Sequence, residues 1–126
     1  MINKKQISTD NAPAAIGPYS QAIETNLIFV SGQLPFDPAT GQFPRGGVAE
    51  QTRQSLTNAK AILNQAGCTM DNVVKTTVFL ADMEYFAEMN KVYEEFFTAP
   101  YPARSAVAVK TLPKDALVEI ECIAVK

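Results

Sequence analysis

The chain has 126 residues, 47% of them hydrophobic and 19% charged, which suits one globular domain able to bury a core without disulfides or a structural metal. A formal charge of -2, with a pI near 5.1, gives no basic footprint for nucleic acid. Histidine is absent and the 2 cysteines, Cys68 and Cys122, lack metal-ligand spacing, which removes Ser-His and Cys-His nucleophiles and the common zinc sites.

Acid–base work therefore falls to Glu, Asp, Lys, Tyr or held water. The opening MINKKQIST lacks the apolar core of a signal peptide, and no apolar run approaches the ~18 residues of a membrane span. The expectation is a soluble cytoplasmic protein with one domain over residues 1–126.

In chain order, Lys4 to Thr9 predicts a short edge strand before the turn Asp10-Asn11-Ala12-Pro13. Gly17-Pro18 precedes a strand from Tyr19 to Glu24, and Thr25-Asn26 turns the chain into Leu27 to Gly32, a run apolar enough to be a central strand. Ser31-Gly32 has two readings, a strand terminus or a ligand cleft where missing Cβ atoms permit close approach. Leu34 to Gly47, rich in Pro and Gly, is a connection without a phosphate-loop motif.

Val48 to Ala66 carries apolar or small residues at Ala49, Thr52, Leu56, Ala59, Ile62, Leu63 and Ala66, the spacing of a helix that stops at Gly67. Val73 to Ala81 predicts a second central strand. Asp82 caps a helix whose core positions are Met83, Phe86, Met89, Tyr93, Phe96 and Phe97, closed by Pro100 and Pro102. Asn90 interrupts that face, as a structural amide or as support for a charged residue such as Arg104.

Two further strands flank Thr111 to Leu117 and carry the most suggestive charges. Arg104 opens the first; a planar guanidinium fork suits bidentate capture of a carboxylate. Glu119 and Glu121 share one face of the second with Ile123 and Val125, opposite Val118, Ile120, Cys122 and Ala124. The bland alternatives are a salt bridge for Arg104 and a solvated face for the glutamates. Mutual repulsion could also raise a carboxyl pKa toward the range useful for proton transfer. A plain hairpin centred near Lys114 would leave Arg104 and Glu119 on the order of 17 Å apart, too far for one small site. Either the strands are not simple neighbours or the charges meet across a subunit boundary, and the boundary is the preferred expectation.

NAPAAIGPYSQA, VSGQLP, QTRQSLTNAKAIL, VVKTTVFLADM, MNKVYEEFF, YPARSAVAV and LPKDALVEIECIAV, in this order, resemble the RidA (YjgF) family of enamine/imine deaminases over nearly the whole chain. The resemblance implies an α+β, chorismate-mutase-like fold, with two helices packed on one face of a six-stranded mixed sheet. It also implies a homotrimer with clefts between subunits. The implied activity is hydrolysis of 2-imino and 2-aminoalkenoic acids to 2-keto acids and ammonia, with no metal or other cofactor. Carried over motif by motif, Arg104 would hold the substrate carboxylate and Glu119 would orient or activate water. Tyr19, Ser31 and Gly32 would line the cleft, and Asn90 would support it. Ala106 stands where many relatives have Cys, which excludes a thiol role there. A noncatalytic sensor of small acids using the same cleft is the alternative, and a nuclease finds least support in the composition.

Overall fold

The computed structural model describes residues 2–126, and its elements follow the hydrophobic periodicity closely. Strands β1 (Lys5–Ile7), β2 (Ala22–Glu24) and β3 (Ile28–Gln33) come first, then helix α1 (Val48–Gln65) and strand β4 (Val73–Leu80). Helix α2 (Phe86–Phe96) leads to β5 (Ala103–Ala108) and β6 (Val118–Ala124). The strands form one six-stranded sheet in the order β1-β2-β3-β6-β4-β5, antiparallel throughout except for the parallel β4–β5 pair. The chain folds as expected, two helices on one face of a mixed sheet.

Alternation in β6 decides which face is covered. Val118, Ile120, Cys122 and Ala124 are buried beneath the helices with Leu56, Ile62 and Leu63 of α1 and Met89 of α2, whereas Glu119, Glu121 and Ile123 turn to the opposite, open face. Burial pushes the Cys122 thiol up to about 12, with Glu121 adding to the shift, so this cysteine behaves as a small core hydrophobe. Helix α1 ends as its sequence directs. Gly67 takes a φ of 83° and donates its N–H to Asn64, while Cys68 N–H reaches back to Leu63 at 2.8 Å.

Two element starts and one strand pairing depart most from the sequence reading. The strand expected from Tyr19 is confined to Ala22–Glu24, because Gly17-Pro18 and the turn around Tyr19 keep the preceding backbone out of the ladder. The helix expected from Met83 opens with a 3-10 turn, Met83–Tyr85, capped by Asp82 accepting from Glu84 N–H at 2.8 Å. The last two strands are not a hairpin, since β4 lies between β5 and β6. Helix α2 carries the chain from β4 to β5 as a crossover, which makes those strands parallel and leaves β5 at the sheet edge.

Candidate active site

The sequence-predicted residues fall into two groups on opposite faces of the sheet. Glu119, Gly32, Ser31 and Tyr19 gather on one side of the molecule, and Arg104 and Asn90 on the other.

The first group is built around an irregularity in β3. Val30 pairs with Cys122 and Gln33 with Ile120, so three residue steps of β3 match two of β6 and one extra residue bulges at Ser31-Gly32. The bulge lets Val30 and Gln33 both turn toward the helices although they are an odd number of residues apart. Glu119 lies across the bulge. A Cβ built on Gly32 would overlap its carboxylate and sit only 3.0 Å from Cδ and 3.3 Å from Cγ. Gly32 is therefore the space that Glu119 occupies, a use of glycine that concerns room rather than backbone freedom. Burial, and then the neighbouring Glu121 charge, raise the Glu119 carboxyl above its ordinary value, which favours a group able to hold a proton.

Ser31 braces this arrangement. Its N–H donates to Gln21 O at 2.9 Å and its hydroxyl to Ser20 O at 2.5 Å, tying the backbone next to Tyr19 to the bulge. Gln21, which the sequence reading did not single out, holds the loop beyond. Its Oε1 accepts Thr9 N–H at 2.7 Å and its Nε2 donates to Pro13 O at 2.7 Å, with further bonds to Thr9 O and Ala12 O. The loop and Tyr19, Gly32, Leu34 and Phe36 enclose a cleft of about 800 Å³. Asn58 fixes its far wall from α1 by donating to Leu34 O and Phe36 O at 3.2 and 2.8 Å. Partners this distant in sequence leave no local signal for either amide.

The second group sits under α2. Arg104 pairs in register with Thr76, whose side chain is fully buried toward the helices, so the guanidinium points to the helix-covered face. Nη1 donates to Asn90 Oδ1 at 2.6 Å, and the guanidinium carbon lies over the rings of Tyr93 and Phe86, 4.7 and 5.4 Å from their centroids. Arg104 is half-buried yet forms no salt bridge among the described residues; the ion pairs are Arg53–Glu95 and Lys126–Glu24. Phe86 and Tyr93 were expected only as core. Their spacing around Asn90, four residues before and three after, was the available signal.

Glu119 pairs with Phe79, three residues along β4 from Thr76, and on the face away from α2. One strand of separation on each side of β4 and three residues of offset put the Arg104 and Glu119 backbones roughly 10 Å apart in each direction before the opposite-face geometry is counted. Within one chain they cannot grip the same small molecule. The open face carries Phe29 and Val107, 44% and 46% exposed, with half-buried Ile23, Phe79 and Ile123.

What this arrangement can do is bind an anion at Arg104 and exchange protons at Glu119. The described residues contain no group of three or more side chains suited to a metal ion, and none of their helices is long and apolar enough to cross a membrane.

Comparison with known proteins gives the family. A family model described as Endoribonuclease L-PSP matches residues 9–126. A RutC family protein of Pyrococcus horikoshii is 55% identical over 124 residues, 98% of each chain. A protein of Bos taurus named 2-iminobutanoate/2-iminopropanoate deaminase is also 55% identical over 124 residues, covering 98% of this chain and 90% of the relative. The crystal structure of Escherichia coli TdcF with bound serine superposes with a TM-score of 0.92 at 48% identity, covering 97% of this chain and 98% of that one. Matches over nearly the full length at such identities leave one conclusion: the chain belongs to the Endoribonuclease L-PSP family, also called YjgF/RidA.

Proposed function

We propose that this protein hydrolyses 2-imino and 2-aminoalkenoic acids, such as 2-iminobutanoate and 2-iminopropanoate, to 2-keto acids and ammonia. The clefts are shared between subunits of a homotrimer. The observation that carries this reading is the half-buried Arg104, braced by Asn90 but unpaired with any carboxylate among the described residues. A desolvated guanidinium without an anion is a site prepared for one. A relative of 55% identity bears the name of this deaminase, and a serine, itself a carboxylic acid, is bound to another relative.

The chemistry asks little beyond positioning. The imine carbon is electrophilic, so water adds across C=N, and the resulting carbinolamine expels ammonia as its hydroxyl becomes the keto oxygen. Glu119 takes a proton from the attacking water and returns it to the departing nitrogen, which a carboxyl with a raised pKa does well. Arg104 fixes the substrate carboxylate and so sets the imine carbon against the water. Tyr19 and Gly32 line the pocket; Ser31 braces it from β3. A ribonuclease reading fits less well with a chain of formal charge -2 and no histidine.

Arg104 at the edge strand and Glu119 on the open face belong to different surfaces, and a head-to-tail contact that closes into a ring brings one subunit's edge to the next subunit's face. Complementation tests this directly. Ammonia release is followed while an amino-acid oxidase generates the imine, with Arg104→Ala and Glu119→Gln each expected to lose the acceleration. Refolded together from an equal mixture, the two variants should regain about a quarter of the wild-type sites, since random assembly pairs an intact Arg with an intact Glu at that frequency. No recovery from a folded, mixed oligomer would place both groups in one chain's site. No acceleration by the wild type with any imine would remove the enzyme reading.

A further inference from the structure

Arg104 has five N–H donors and no protein anion among the described residues to orient them, so something else must decide which way its fork points. Asn90 engages one donor. The remaining constraint comes from Phe86 and Tyr93, which with Asn90 stand at positions i, i+7 and i+4 of α2 and hence on one face of the helix. Stacking restrains the plane of a guanidinium without using its in-plane donors, which stay free for a ligand.

Tyr93 is itself held. Its hydroxyl shares a 2.7 Å hydrogen bond with Thr76 Oγ1, and its ring packs against Phe97 with centroids 4.5 Å apart. Thr76 is also the register partner of Arg104 across the β4–β5 pair. The contacts therefore close a circuit, from the Arg104 backbone to Thr76, to the Tyr93 hydroxyl, through the Tyr93 ring and back to the Arg104 guanidinium. Filling core volume alone would need only a phenyl ring. A hydroxyl paired with a buried threonine fixes the ring in one place, because moving it strands two buried polar groups.

We propose that Phe86, Tyr93 and Thr76 are positioning residues that preset the Arg104 fork for a planar carboxylate, the rings fixing the guanidinium and Thr76 fixing the Tyr93 ring. This rests on the reading of Arg104 as the carboxylate clamp, and it adds residues that act only through Arg104.

The test is the preference for 2-oxobutanoate over its uncharged amide, 2-oxobutanamide, measured by calorimetry on the folded oligomer. Wild type should prefer the acid, and Arg104→Ala should abolish the preference. Tyr93→Leu should reduce it roughly tenfold, the scale of a well-placed cation–π contact, with amide affinity unchanged, whereas Tyr93→Phe, which keeps the ring, should retain more of it. Phe86 is only partly buried, so Phe86→Leu carries the test if Tyr93→Leu does not fold. Wild-type preference in folded Tyr93→Leu or, where that variant does not fold, in Phe86→Leu would overturn the proposal while leaving the clamp in place, provided Arg104→Ala has lost it. Wild-type preference in Arg104→Ala would overturn the clamp and the proposal together.

Discussion

Replacing Gly32 by alanine separates the position of Glu119 from the stability of the fold. The new Cβ would overlap a Glu119 carboxylate oxygen and stand 3.0 Å from Cδ, so the carboxylate must swing away. A displacement of roughly 1 Å at a reacting group can lower turnover on the order of 100-fold. The fold has little reason to suffer. Gly32 is not among the positive-φ residues, and the group in the way is the free end of a flexible side chain. Alanine removes unfolded-state freedom worth about 0.4–1 kcal/mol, and moving Glu119 off its preferred rotamer costs about 0.5–1.5 kcal/mol. These nearly cancel, leaving a melting temperature within a few degrees of wild type. Coupled ammonia release and calorimetric melting on the same preparation read both quantities. A folded Gly32→Ala variant with turnover within about threefold of wild type would refute the argument that this carboxylate position matters.

On a monomeric background such as Phe29→Glu, where no second Arg104 faces it, Glu119→Gln should be more stable than its parent at pH 7 and equal to it near pH 4 in urea titrations. A carboxyl whose folded pKa is raised leaves full stability below its unfolded value of about 4.3 and subtracts from it as pH rises through the folded value, and glutamine never ionises; an identical margin at both pH values would contradict the assigned shift. Phe29→Glu places a charge on the exposed open face and should yield folded monomers by light scattering with ammonia release lost, the monomer's own stability changing by no more than about 0.5 kcal/mol; an intact, active oligomer would mean that this face is not an interface.

How much of this was legible depended on whether the relevant partner lay nearby in sequence. The alternation of Val118 to Ala124 and the stop of α1 at Gly67 were readable because each depends on a few consecutive residues. Asn90 was readable as a candidate support for Arg104 because an amide on an apolar helix face needs a partner. The insertion of β4 between β5 and β6 was not, since short connections favour hairpins and nothing local in VVKTTVFLA announces a parallel neighbour. The bulge at Ser31-Gly32 was hidden for the same reason, because a register shift belongs to two strands and the sequence displays one. Gln51 is a further case. It is buried on α1 and accepts Leu117 N–H at 2.8 Å, a bond between residues 66 positions apart.

The separation of Arg104 from Glu119 also bears on how the pKa of Glu119 would be controlled. In the chain alone, partial burial and Glu121 both act in one direction and raise it. Covering the open face with a second subunit would strip more water from Glu119 and raise it further, while that subunit's Arg104, brought to the same cleft, would oppose the rise with a positive charge. Substrate alters the balance again, because its carboxylate neutralises the guanidinium and so strengthens the Glu119 carboxylate as a base for the attacking water. On the proposed assembly, then, the group that binds the acid also keeps Glu119 ionised until the acid has arrived and raises its basicity once it has. This coupling requires the two residues to be near enough to interact yet free of a direct salt bridge. Placing them on different faces of the sheet lets assembly set their distance, whereas neighbouring positions on one strand pair would let them neutralise each other within the chain.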